Sequence, residues 1–255
     1  MLGFERLAIG YFAALAAVSL CVQARRRAWI AFAASMGAVG VVFWVSRWAS
    51  DTLRAWAPHS YLLAGYWLPA LLVEGAPGQF EHWLRNRDSR WVWARLAVPK
   101  RAAHAFELAY LLCYPLVPIA FLTVRNGGNT ANLERFWISV LGAGYVCYAT
   151  LPWLVSRPPR LLAGDIAPAP PIQRLNGNLL ARFSHSFITF PSGHVAVSTA
   201  AALTALSVSL PAGIVLLVVS CGVAIAAISG GYHYALDVVL GAFVGIVIAV
   251  LSSWI

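Results

Sequence analysis

Two histidines and one aspartate carry most of the chemistry this sequence can offer. Between Phe183 and the C-terminal Ile255 the only residue from the Asp, Glu, Lys and Arg set is Asp237. An ionised carboxylate in an apolar stretch is costly to desolvate and calls for a partner or a role. His233 stands four residues before it, a spacing that predicts both side chains on one face of a helix starting near Tyr232. An aspartate accepting from one imidazole nitrogen fixes the tautomer and raises the basicity of the other nitrogen. Upstream, Pro191-Ser192-Gly193-His194 opens another apolar run. Pro191 suits a helix start, Ser192 can hydrogen-bond an anion, and Gly193 has no side chain to block a close backbone approach. The unsatisfied N–H groups and positive dipole end of such a helix attract an anion. A third cluster, Ser156-Arg157-Pro158-Pro159-Arg160, adds guanidinium forks that match phosphate oxygens.

The elements that must position these groups are membrane helices. The chain of 255 residues is 60% hydrophobic and 11% charged, too little polar surface to clothe a soluble globule of this size. A crossing needs about 20 mostly apolar residues. Residues 7 to 23, 28 to 46, 104 to 124, 135 to 154, 192 to 210, 212 to 229 and 236 to 254 qualify, and 60 to 73 is a short eighth candidate. The expected fold is therefore an all-α polytopic membrane helix bundle, with about six to eight transmembrane helices and an interfacial helix. The interfacial segment is residues 77 to 98, where Trp and Arg mix between Pro77 and Pro99. Residues 1 to 134 form the N-terminal helices and 135 to 255 the catalytic helical core of one membrane domain. The apolar run at the N-terminus precedes Arg25, Arg26 and Arg27, so a retained first helix is expected in place of a signal peptide. Pro115 and Pro118 should kink the span from 104 to 124, and residues 164 to 178, rich in Pro, Gly and Asn, read as a loop.

Cys21, Cys113, Cys147 and Cys221 each fall inside a predicted span without paired ligand spacing, and read as buried thiols. The formal charge of +9 is scattered through short loops, which favours attraction to membrane lipids over a nucleic-acid partner. If 60 to 73 crosses, most of the Lys and Arg residues share one side, which the positive-inside rule makes cytoplasmic. If that stretch is re-entrant, the assignment of sides changes. A multi-pass protein of the cell (plasma or inner) membrane is expected in either case.

Residues 192 to 210 and 212 to 229 form a down-and-up pair joined at Pro211, so the Ser192 to His194 start and the His233 to Asp237 stretch reach the same membrane face. The span from 135 to 154 ends there too, bringing Arg157 and Arg160. Singly, each cluster fits a helix cap or a juxtamembrane anchor. Together they suit phosphoryl transfer, with two histidines supplying a nucleophile or base and an acid for the leaving oxygen. No Asp/Glu-rich or His-rich ligand set is visible, so a mechanism without metal or cofactor is expected.

The ordered set Arg157-Pro158, Pro191-Ser192-Gly193-His194 and His233 to Asp237 resembles the type 2 phosphatidic acid phosphatase superfamily. That group includes lipid phosphate phosphatases, vanadium haloperoxidases and, more distantly, sphingomyelin and inositol phosphorylceramide synthases. The resemblance covers roughly residues 135 to 255. It implies that His233 attacks phosphorus to form a phosphohistidine, Asp237 orients it and His194 protonates the leaving alkoxide. Ser192, Gly193 and Arg157 would then hold the phosphate oxygens. Two positions depart from the pattern. Thr150 stands where the first motif usually carries a lysine, and Ala227 where the third usually carries an arginine. Arg160, or Arg182 with His185, are candidates to replace those charges. The resemblance implies a membrane-embedded phosphatase of a lipid phosphate, of the phosphatidate or polyprenyl diphosphate type. The alternatives are a phosphotransferase passing the phosphoryl headgroup to an alcohol and a non-catalytic lipid-phosphate binder or transporter.

Overall fold

The structure, a computed structural model, describes residues 1–22, 25–74, 78–88, 100–162, 171–184 and 186–254. Among them the only extended pairing is an isolated antiparallel bridge between Ser156 and Ile188. All other regular structure is helical: α1 (Gly3–Cys21), α2 (Arg25–Trp48), α3 (Asp51–Trp56), α4 (Pro58–Ala70), α5 (Gln79–Asp88), α6 (Lys100–Leu111), α7 (Cys113–Gly127), α8 (Thr130–Ala149), α9 (Pro171–Phe183), α10 (Gly193–Leu206), α11 (Leu210–Ser229) and α12 (Ala235–Leu251), with single 3-10 turns at Pro159–Leu161 and Ser252–Trp254.

The centre of the bundle is α10, which packs against α7, α8, α11 and α12. Its sequence explains the position. Ala196, Ser198, Ala200, Ala201, Ala202, Thr204 and Ala205 are all buried, so the helix is apolar or small on every side, as a fully enclosed helix must be. Small residues also let backbones approach closely where lipid offers no hydrophobic drive between helices. On α12, Gly241 and Gly245 face the backbone of α10: a Cβ would lie 2.6 Å from the Ser192 carbonyl oxygen at the first and 2.5 Å from that of Ala196 at the second. Thus α12 lies nearly in backbone contact with the start of α10.

Among the described residues, four stretches are long and apolar enough to cross a membrane: Gly3–Cys21, Arg26–Trp48, Leu210–Ser229 and Ala235–Trp254. The pair α6 and α7 makes a fifth if counted as one bent span. Its bend of 54° falls at Leu112, just before Pro115, which has no N–H to give the Leu111 carbonyl. The expected kink is thus present at Pro115, whereas Pro118 is accommodated inside α7. The other expected crossings are helical too, but α4 and α10, at about 20 Å each, are shorter than a hydrocarbon core of roughly 30 Å. In α10 the cause is visible: its polar start is set inside the bundle, with Ser192 and Gly193 buried.

Glu5 near the start of α1 pairs with Arg54 on α3, whereas Tyr66 on α4 reaches Ser184 just after α9. The chain from α3 to α4 therefore passes from one end of the bundle to the other, and Arg85, Arg87, Arg157, Arg160, Arg174 and Arg182 lie at the end where α4 finishes. Two expectations are corrected. Cys113 and Cys147 are buried thiols as expected, but Cys21 and Cys221 are exposed on the outside of the bundle. Residues 171 to 178, read as loop, are the first half of α9, which starts with Pro171 at a position that needs no N–H donor and packs on α6. The remainder of that predicted loop, 164 to 170, and residues 77 and 89 to 98 of the predicted interfacial segment lie outside the described residues.

Because backbone blocks the space at Gly245, Gly245→Val should separate α10 from α12, costing on the order of 1–3 kcal/mol. Thermal unfolding in detergent, monitored by circular dichroism, should show a clearly lowered midpoint.

Candidate active site

His233 does not sit on α12 as the spacing suggested, because that helix begins only at Ala235 with Tyr234 as its N-cap. His233 instead lies in the turn out of α11. The Ala227 carbonyl accepts from both the Tyr232 and the His233 amides at 2.9 Å, and Gly231, with φ at 65°, makes the reversal. That left-handed conformation is where glycine is favoured. The expected contact nevertheless forms: His233 Nδ1 lies 2.6 Å from Asp237 Oδ2, and both side chains are buried. With Nδ1–H donating to the carboxylate, the free lone pair is on Nε2.

His194, in the first turn of α10, brings its ring centroid to 5.9 Å from that of His233. Tyr66, Tyr110 and Tyr114 surround it, with centroids at 6.4, 5.9 and 6.1 Å. The start of α10 is tied directly to the Asp237 segment, since the Ser192 amide donates to the Asp237 carbonyl at 3.1 Å. Ser192 is wholly buried, and neither its Oγ nor Asp237 Oδ1 has a hydrogen-bond partner among the described residues. At Gly193 the absent side chain leaves room for Tyr148, whose ring would be 2.5 Å from a Cβ, and the amide donates to Thr189 Oγ1 at 2.9 Å.

The two arginines of the proline-rich cluster have different surroundings. Arg157 makes a two-pronged ion pair with Glu81 of α5, with Nη2 to Oε1 at 2.8 Å and Nε to Oε2 at 3.1 Å, while its amide donates to the same carboxylate at 2.8 Å. Arg160 turns the other way. Its amide donates to the Gly231 carbonyl at 3.0 Å, and its guanidinium carbon sits 4.3 Å over the Tyr232 ring. Tyr232 in turn stacks on Tyr110 at 4.0 Å, one ring away from His194. Arg160 Nε is buried without a hydrogen-bond partner among the described residues. The structure thus brings His194, His233, Asp237, Ser192, Gly193 and Arg160 together, and binds the Arg157 side chain to Glu81 of α5 instead. Arg182 is exposed on α9, and His185 lies outside the described residues.

The positions that depart from the family pattern hold the scaffold together. Thr150 Oγ1 lies 2.5 Å from the Phe190 carbonyl, tying the end of α8 to the segment before Ser192. Ala227 is fully buried in a cluster with Tyr110, Val195 and Tyr232, and its carbonyl holds the His233 turn.

Several supporting residues were not apparent from the motifs. Glu107 on α6 accepts from the Tyr232 hydroxyl and from Asn176 of α9, both at 2.6 Å. Burial and that bond to Glu107 keep the Tyr232 phenol protonated. Asp88, the last residue of α5, accepts from the Ala235 amide at 2.6 Å and so caps α12. Glu81, Leu84 and Asp88 at i, i+3 and i+7 are the inward stripe of an amphipathic helix, a pattern the sequence does carry.

An apolar cavity of about 220 Å³ reaches His194 and Gly193 from between α4 and α7. It runs along α4 from Tyr66 to His59, about 10 Å at helical rise. Leu63, Trp67 and Tyr114 on its rim are exposed on the outside of the bundle.

Residues 135–255, from α8 to the C-terminus, match the model of the PAP2 superfamily. No curated protein and no solved structure matches the chain.

The hydrogen bonds from Arg157, chiefly, hold the Glu81 carboxyl below the ordinary carboxylate range. A group whose folded pKa is depressed stabilises above its unfolded value, about 4.3 for glutamate, and loses that contribution as pH falls through the folded value. The gap in unfolding midpoint between the wild type and Glu81→Gln should therefore be present at neutral pH and close on acidification below about pH 4.

Proposed function

We propose that the protein is a membrane-embedded lipid phosphatase that hydrolyses a phosphomonoester or diphosphate through a phosphohistidine on His233. The observation that carries the reading is the buried His233–Asp237 pair facing His194 at the inner end of an apolar cavity open to the outside of the bundle. The match of residues 135–255 to the PAP2 superfamily supports phosphatase-type chemistry.

In the first step His233 Nε2 forms a bond to phosphorus as the bond to the lipid oxygen breaks, and protonated His194 gives its proton to the departing alkoxide or phosphate. Asp237 holds the His233 ring and stabilises the cation it becomes. In the second step neutral His194 takes a proton from water, whose oxygen attacks phosphorus, the N–P bond breaks, and inorganic phosphate leaves. In this reading Arg160, beside the His233 turn, holds the phosphate oxygens, because Arg157 is engaged by Glu81. Charge stabilisation by such a fork is worth most in a site shielded from water. A lipid chain seated in the cavity leaves its phosphate at the polar end, against His194.

Purified protein given labelled lipid phosphate should release inorganic phosphate, and should do so without added alcohol. Product formed only in the presence of an alcohol acceptor would assign the phosphotransferase reading, and binding without turnover would assign the non-catalytic one. His233→Ala should abolish release. Asp237→Asn should lower kcat by a factor on the order of 10²–10⁴ with KM nearly unchanged; equal losses in kcat and in binding would assign Asp237 a structural role. Arg160→Gln should instead raise KM and lower kcat together.

A further inference from the structure

The ten-residue helix α5 touches each of the three segments that build the site. Glu81 holds the amide and guanidinium of Arg157. Phe80 packs edge-on to Phe190, two residues before Ser192, with ring centroids 5.0 Å apart. Leu84, wholly buried, joins Ile188 and Tyr234, and Asp88 caps α12 two residues after His233. The opposite face of α5 is of another kind. His82, Trp83, Arg85 and Arg87 are exposed there, Arg87 lies 5.8 Å over the Trp83 ring, and both acidic residues of the helix point inward.

We infer that the outer face of α5 binds an anionic lipid surface and that this contact holds the three site segments in register, so the charge of the surrounding membrane regulates the site. This inference deepens the phosphatase reading and rests on it for its effect on turnover. The occupant is argued from charge and place. The exposed charges of α5 are cationic, they are interleaved with an indole of the kind that settles at headgroup level, and the helix packs at the start of the membrane helix α12, which it caps. Arginines near an anionic leaflet are attracted additively, so Arg85 and Arg87 act as a pair. An α5 drawn to the surface on its outer side keeps its inner side fixed as well, because a rigid helix presents both faces at once. Its loosening releases Arg157 and uncaps α12 at the turn that carries His233.

The test uses the full chain in nanodiscs of phosphatidylcholine alone or with roughly a third phosphatidylserine, at low ionic strength. Amide hydrogen exchange across residues 79–88 and turnover of a labelled lipid phosphate are read on the same samples. Anionic lipid should slow exchange in α5 about tenfold, an effect two arginines at such a surface can supply, and should raise turnover severalfold. The double variant Arg85→Gln, Arg87→Gln should show neither response while keeping the turnover the wild type has in phosphatidylcholine. Equal exchange of wild-type α5 on both surfaces, or an undiminished response in the double variant, would overturn the inference. If no lipid phosphate turns over in any nanodisc, the phosphatase reading fails, while the exchange measurement still decides whether α5 binds the anionic surface.

Discussion

A carboxylate and an imidazole buried together inside a helical membrane bundle set the terms for the rest of this structure. Asp237 is wholly enclosed and His233 nearly so, and their 2.6 Å hydrogen bond is what compensates the loss of water around both. Such a bond is worth its desolvation only when geometry is held tightly, and every element near it contributes to that. The Ala227 carbonyl anchors the His233 turn, the Ser192 amide anchors the Asp237 backbone, and Gly241 lets α12 approach α10 closely enough for the second of these bonds to form.

The second consequence of burying the pair is directional. With Nδ1 committed to Asp237, the remaining ring nitrogen of His233 has one orientation, and His194 lies at a ring-to-ring distance of 5.9 Å on a separate helix. Tyrosines enclose His194 on its other sides, and the apolar cavity between α4 and α7 ends on it. Two imidazoles with different neighbours are the arrangement in which one group attacks and the other moves a proton. The arginine cluster divides in the same spirit. Arg157 is bound by an internal carboxylate, while Arg160 is held by its backbone and an aromatic face, its Nε–H without a hydrogen-bond partner among the described residues.

Much of this could be read from residue types and local spacing. The i, i+4 relation of His233 and Asp237, the helix opening at Gly193 and the bend ahead of Pro115 depend on neighbours within a few residues, and each is present. The start of α12 differs because it depends on tertiary bonds: the Ala227 carbonyl takes up the Tyr232 and His233 amides and delays the helix to Ala235. The hidden parts are long-range. Nothing near Arg157 in sequence signals that Glu81, 76 residues away, will bind it, or that Asp88 will cap a helix 147 residues further on. Composition misled at α9, where Pro, Gly and Asn read as loop although Pro171 opens a helix and Asn176 is bonded to Glu107. The absent lysine and arginine of the family pattern likewise become intelligible only in three dimensions, since Thr150 and Ala227 occupy packed, hydrogen-bonded positions.

The account stands or falls on which nitrogen receives the phosphoryl group. Rapid quenching of the protein with labelled lipid phosphate, followed by peptide mass spectrometry under conditions that preserve phosphoramidates, measures this directly. The account predicts an acid-labile, base-stable phosphohistidine on His233, accumulating when His194 is replaced by a residue that cannot activate water, and given a substrate whose leaving group needs no proton. Label on His194, or no covalent label while phosphate is still released, would contradict it.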